Sequence, residues 1–121
     1  MTARHLATAL ITLWTAGCAS SSGSVRVARE AELRQDYDRA VVEYSRALSR
    51  EPDNVDARTG LERAKARAAI THYDQGRQLA AAGKLSDAVG EYQVAAEMNP
   101  AGAEIRDALR SAQDQLPRQR G

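Results

Sequence analysis

Residues 36–54 read DYDRAVVEYSRALSREPDN, and residues 84–102 read KLSDAVGEYQVAAEMNPAG. Laid over one another with a shift of 48, Ala40, Tyr44, Ala47 and Pro52 fall on Ala88, Tyr92, Ala95 and Pro100. Carried outward, the same shift also matches Arg29/Arg77, Val41/Val89, Glu43/Glu91, Arg58/Arg106, Leu61/Leu109 and Ala64/Ala112. That makes ten identities between 28–68 and 76–116 without a gap. Alanine-rich helices can match one another by chance, but a tyrosine and a proline in register with them are a stronger signal. The chain carries an internal repeat.

Each repeated stretch predicts a helix with a defined inner face. An alanine, a tyrosine four residues on and an alanine three further lie on one stripe of a helix. The alanines let a neighbouring helix approach closely, and the tyrosine fills the space beside them. The proline five residues later ends the helix, because it lacks an N–H and its ring excludes it from a helix interior. The next helix can start at once with Asp53 or Asn54 as N-cap. It continues along Val55, Leu61, Ala64 and Ala68. No Pro or helix-ending Gly lies between 61 and 75, so the spacing favours one long helix over 55–82, straight or mildly kinked and closed by Gly83 in the left-handed conformation, over a break near Ala68–Thr71 that would give a separate extra helix. Gly76 reads as a close-contact position. A last helix over 103–116 presents Ile105, Ala108, Leu109, Ala112 and Leu116 on one face and ends at Pro117, leaving 117–121 as a frayed tail.

These residues resemble the tetratricopeptide repeat. The first unit reads Asp36-Tyr37-x-x-Ala40-Val41-x-x-Tyr44-x-x-Ala47-Leu48-x-x-x-Pro52-x-Asn54. The second runs through Gly76, Leu79, Gly83, Leu85, Ala88, Val89, Tyr92, Ala95 and Pro100. The resemblance covers about 21–54 and 69–102, with Ser24, Ala31 and His72 departing from the family's pattern in the first helices. It implies an all-α fold of antiparallel helical hairpins in an α-solenoid over 25–116: two repeats, a long linking helix, and 103–116 as a capping helix. The family's period is 34 residues, so the 48-residue shift contains an extra 14, close to four helical turns. The resemblance also implies that the first helix of each unit faces a ligand. Arg29 and Glu32 would do so in unit one, and Ile70, Tyr73 and Arg77 in unit two. Arg63 and Arg67 would extend a positive stripe along the long helix.

The N-terminus reads as an address. Arg4 supplies a positive charge, Leu6 to Trp14 an apolar run too short to span a bilayer as a helix, and Thr15-Ala16-Gly17 a run of small residues before Cys18. This order resembles the lipobox of bacterial lipoproteins. The resemblance implies that residues 1–17 are a cleaved signal peptide and that Cys18 carries the lipid of a membrane anchor. Several acyl chains, at roughly 0.8 kcal/mol per buried CH₂, would hold a protein at a membrane. Residues 18–24 then form a Ser/Gly tether from the lipidated cysteine, reaching about 20 Å when stretched. Ala19 is not the Asp that resembles an inner-membrane retention signal, so outer-membrane sorting in a Gram-negative cell envelope is expected, facing the periplasm.

Composition narrows the chemistry. The 121 residues carry 17 Lys+Arg against 16 Asp+Glu, a net charge of +1 that points to no nucleic-acid partner. There is no Phe and a single cysteine, which excludes an internal disulfide framework. Beyond His5, the one remaining imidazole is His72, expected to be a partly exposed helix residue. Glu30/Glu32 and Asp36/Asp38 read as solvated or capping carboxylates, and no glycine run cradles a phosphate. No catalytic, cofactor or metal site is expected. The expected role is an adaptor that binds another envelope protein or peptide. The alternative is a helical lipoprotein that self-associates and uses no groove.

Overall fold

The structure, a computed structural model, describes residues 21–119. The readings on residues 1–20, the lipobox and Cys18 among them, lie outside the described residues, as do Arg120 and Gly121. The described chain is all-helical: α1 (Ser21–Leu33), α2 (Tyr37–Arg50), α3 (Val55–Ala81), α4 (Leu85–Met98) and α5 (Ala103–Gln119). Among the described residues, no helix is long and apolar enough to cross a membrane.

Consecutive helices pack as antiparallel neighbours. Arg50 at the end of α2 donates to Ser24 Oγ at the start of α1 at 3.3 Å, while Asp38 at the start of α2 meets His72 in the second half of α3. One core joins Val25, Ala28 and Ala31 of α1, Ala40, Tyr44 and Ala47 of α2, and Ala57 and Ala64 of α3. Beyond it, Leu85, Ala88 and Tyr92 of α4 pack on Ala112 of α5 and on Tyr73, Leu79 and Ala80 of α3. Ala69, Ala95 and Ile105 form a third cluster beside them. The result is two three-helix groups that share α3. Its first half closes the group of α1 and α2, and its second half opens the group of α4 and α5. At 27 residues and about 1.5 Å each, α3 is roughly 40 Å long.

The tyrosines set the spacing in both groups. Tyr44 is 0% exposed and Tyr92 4%. Gly60 and Gly76 give up a side chain to let these rings in. A Cβ on Gly60 would stand 2.3 Å from Tyr44 Cζ, and one on Gly76 would stand 2.5 Å from Tyr92 Cε1. The two glycines are not repeat partners. The shift pairs Gly60 with Ala108 of α5, and Gly76 with Ala28 of α1. Tyr44 therefore lies against the third helix of its group, and Tyr92 against the first helix of its own.

The turns explain further matches in the repeat. Asn54 caps α3 by accepting from Ala57 N at 2.9 Å. Arg58 donates to the Pro52 carbonyl at 2.8 Å, and its repeat partner Arg106 donates to that of Pro100 at 3.3 Å. Gly83 sits at φ +76°, where a residue without a Cβ is unstrained, and Lys84 N bonds Leu79 O at 2.9 Å to close α3. The equivalent position after α1 is Gln35, at φ +61°, with Asp36 N on Ala31 O at 2.9 Å. The second helices start unequally. Asp36 caps α2 by accepting from Arg39 N, whereas Lys84 offers α4 no side-chain cap.

Two expected boundaries are corrected. Residues 21–24, read as tether, form the first turn of α1. Ser24 is buried and bonded to Arg50, and the Ser21 hydroxyl donates to the Glu51 carboxylate, so contacts with the end of α2 order what composition alone leaves free. The last helix does not stop at Pro117, which lies inside α5. A proline there frees only the carbonyl of Gln113, an exposed residue, and water can satisfy it.

Candidate functional site

The first residues of interest surround Glu32, the next-to-last residue of α1. Arg63 of α3 grips its carboxylate with two parallel bonds, Nε to Oε1 and Nη2 to Oε2, both 2.8 Å. The Tyr44 hydroxyl donates to Oε2 at 2.7 Å and accepts from Arg63 Nη2 at 3.3 Å. Bidentate, charge-assisted pairs of this kind are the strong ones among side-chain contacts. The Arg63 bonds hold the Glu32 carboxyl below the usual carboxylate range, against the opposing pull of partial burial, and the Tyr44 bond adds to the effect. Burial and the bond to Glu32 push the Tyr44 hydroxyl up. Three helices are thereby tied at one point.

Glu32 and Arg63 of this network line an open groove of about 470 Å³ together with Arg29, Leu33, Tyr37 and Arg67. Three cations against one carboxylate give it a positive balance. Arg29 also reaches Asp56 at 3.2 Å across exposed surface, a pair of little energetic weight. Leu33 stands at its rim, 86% exposed.

A second groove of about 310 Å³ lies at the corresponding place between α3 and α5. Shifting the first groove by 48 turns Arg29, Glu32, Tyr37, Arg63 and Arg67 into Arg77, Ala80, Leu85, Ser111 and Gln115, and all five line the second. Tyr73 and Tyr92 form its aromatic floor, with ring centroids 5.9 Å apart and planes tilted by 42°. The Arg77 guanidinium lies 5.8 Å from the centre of the Tyr73 ring, within cation–π range.

The two groups meet at His72, whose side chain is 14% exposed. Its Nδ1 lies 2.6 Å from Glu91 Oε2 on α4, and its Nε2 lies 3.0 Å from both carboxylate oxygens of Asp38 on α2. A neutral imidazole has one N–H and would turn a lone pair on one of these carboxylates, whereas imidazolium donates to both. Burial pulls the His72 pKa down, but the bonds to Glu91 and Asp38 and the charges of both outweigh it, and the net direction is up. His72 is the partly exposed helix residue expected, and in addition it links α2 and α4 to α3.

Of the residues expected to face a ligand, Arg29 and Glu32 share the first groove, and Tyr73 and Arg77 share the second. Ile70 lines neither and projects from α3, 56% exposed. Arg63 and Arg67 belong to the first groove alone. The repeat residues Ala40, Tyr44, Ala47, Ala88, Tyr92 and Ala95 are buried, while Pro52 and Pro100 stand exposed in the turns after α2 and α4. Sequence reasoning missed Ser111, Gln115 and the bridging role of His72. The first two were within reach, since the 48-residue shift that paired Arg29 with Arg77 also pairs Arg63 with Ser111. No protein-family model matches the chain, and no curated protein matches it in sequence.

Proposed function

We infer that this chain is a lipid-anchored adaptor of a bacterial cell envelope, built as a tetratricopeptide-like α-solenoid whose grooves receive segments of another protein. One observation carries the reading: two repeat-related grooves, each lined by an exposed arginine and by tyrosine, Tyr37 in the first and Tyr73 and Tyr92 in the second. Arginine and tyrosine supply much of the binding energy of protein interfaces. In this reading the anchor is the Cys18 acyl group, which confines the grooves to a membrane surface and raises their effective concentration there. Its place is the outer membrane, facing the periplasm. Catalysis, a cofactor and nucleic-acid binding have no part in it.

The test is crosslinking in the native membrane followed by identification of the attached protein. A discrete heterologous adduct supports the adaptor, while adducts of the chain with itself alone would replace it with the self-associating alternative. That second reading draws on Leu33, Val42, Val55 and Ile70, four large apolar side chains that are more than half exposed. The anchor is tested separately: Cys18→Ser should release the protein from the membrane fraction, and retention there would refute lipidation.

A further inference from the structure

The two grooves are internal copies, and comparing them shows what the second one has lost. In the first, the donors converge on a carboxylate the chain itself supplies, that of Glu32. In the second, the acceptor is gone because Ala80 replaces Glu32, yet donors still line the groove. Tyr92 is the repeat partner of Tyr44, though its ring leans on the first helix of its group rather than the third; Ser111 replaces Arg63, and Arg77 corresponds to Arg29. Ser111 already accepts from the Gln115 amide at 3.0 Å, which leaves its own hydroxyl hydrogen free to point elsewhere. Tyr92 is 4% exposed, and among the described residues its hydroxyl has no hydrogen-bond partner, whereas the Tyr44 hydroxyl has two. Arg77 is the one charged residue lining the groove; its pair with Asp74, outside the groove, is long at 4.0 Å and exposed, a weak one, so the groove still favours an anion.

We propose that the second groove binds a glutamate side chain of a partner protein, its carboxylate occupying the position that Glu32 fills in the first groove. Tyr92 and Ser111 donate to that carboxylate, Arg77 supplies the charge, and Leu85 and Tyr73 pack on the methylenes of the incoming side chain. The glutamate is chosen because the repeat-related first groove is already filled by one. The proposal deepens the adaptor reading and rests on it only for the occupant being part of a protein.

The experiment titrates the isotope-labelled full chain with three short peptides and follows backbone amide shifts by NMR. Acetyl-Ala-Leu-Glu-Ala-amide carries the side-chain carboxylate, acetyl-Ala-Leu-Gln-Ala-amide removes its charge, and acetyl-Ala-Leu-Gln-Ala with a free C-terminus moves it to the main chain. Saturable shifts in 77–80 and 108–115 with the first peptide, at least tenfold weaker with the second and third, are the expected result. Tyr92→Phe should weaken the first peptide about tenfold, as expected for a lost hydrogen bond to a charged group. Ala80→Glu should restore the internal carboxylate and abolish binding while far-UV circular dichroism and the unfolding midpoint are maintained or raised. Equal binding of all three peptides, preference for the free C-terminus, or undiminished binding by a folded Ala80→Glu chain would each overturn the proposal. Membrane crosslinking separates it from the adaptor reading. A partner captured equally by wild type and Ala80→Glu removes the glutamate site and leaves the adaptor. Selective peptide binding with no partner in the membrane does the reverse.

Discussion

Gly60→Ala adds one methyl group to the middle of α3, and in an isolated helix it would stabilise by about 1 kcal/mol. Here the new Cβ would stand 2.3, 2.4 and 2.8 Å from Tyr44 Cζ, Cε1 and Cε2, where carbon atoms normally approach to about 3.5–4.0 Å. The ring has no room to withdraw. It is fully buried, and its hydroxyl is held by Glu32 and Arg63. Overpacking costs typically about 1–3 kcal/mol and sometimes more; contacts this short on a ring that cannot move belong at the upper end, so with the helix gain deducted the net loss is about 2 kcal/mol. For a domain of this size, that corresponds to a fall in melting temperature of roughly 10 °C. Gly90 in α4 has nothing within 4 Å of its Cβ position, and Gly90→Ala should gain up to about 1 kcal/mol from propensity alone. Urea unfolding followed by far-UV circular dichroism measures both. Tyr44→Leu supplies the decisive background, because leucine has no atoms where the clashing ring carbons lie. Gly60→Ala should there turn neutral or stabilising. If Gly60→Ala is as stable as wild type, or equally damaging in both backgrounds, the glycine–tyrosine contact does not set the helix spacing.

Three further outcomes follow from the repeat and from His72. The His72 pKa is raised in the folded state, so its contribution is complete below the unfolded value of about 6.5 and is lost as pH rises through the folded one. The wild-type melting temperature should therefore fall between mildly acidic and mildly alkaline pH, and His72→Gln should flatten that part of the profile. Gln35→Gly relieves a left-handed residue of its Cβ and gives back part of the gain through unfolded-chain entropy; a net stabilisation of about 0.5 kcal/mol is expected in urea titration. Lys84→Asp should give α4 the cap that Asp36 provides for α2, worth about 1 kcal/mol, and a variant no more stable than wild type would mean that the two helix starts are not equivalent.

The helices were legible because their determinants are local. Ala40, Tyr44 and Ala47 mark an inner face within two turns, Asn54 caps the residue three places on, and Gly83 ends α3 at a positive φ. Gly76 was readable as a close contact, though not its partner Tyr92. What stayed hidden depends on distant residues. Ser21–Ser24 look like linker until Arg50 and Glu51 are brought beside them. Gln35 takes a left-handed conformation because the turn imposes it, against its own preference. His72 appears unremarkable in sequence because Asp38 lies 34 residues before it and Glu91 19 after. The two grooves were half visible: the shift pairs their residues, but only the folded chain shows that Arg63 and Tyr44 converge on Glu32.

Because α3 serves as the last member of one trio and the first of the other, neither trio owns a complete set of walls. In an array of separate hairpins, one end can fray while its neighbours hold. Here a break near Ala68–Ala69 would strip a wall from both cores at once, so the molecule should melt as a single block. A proteolytic nick anywhere along this shared strut would be felt at both ends of the protein.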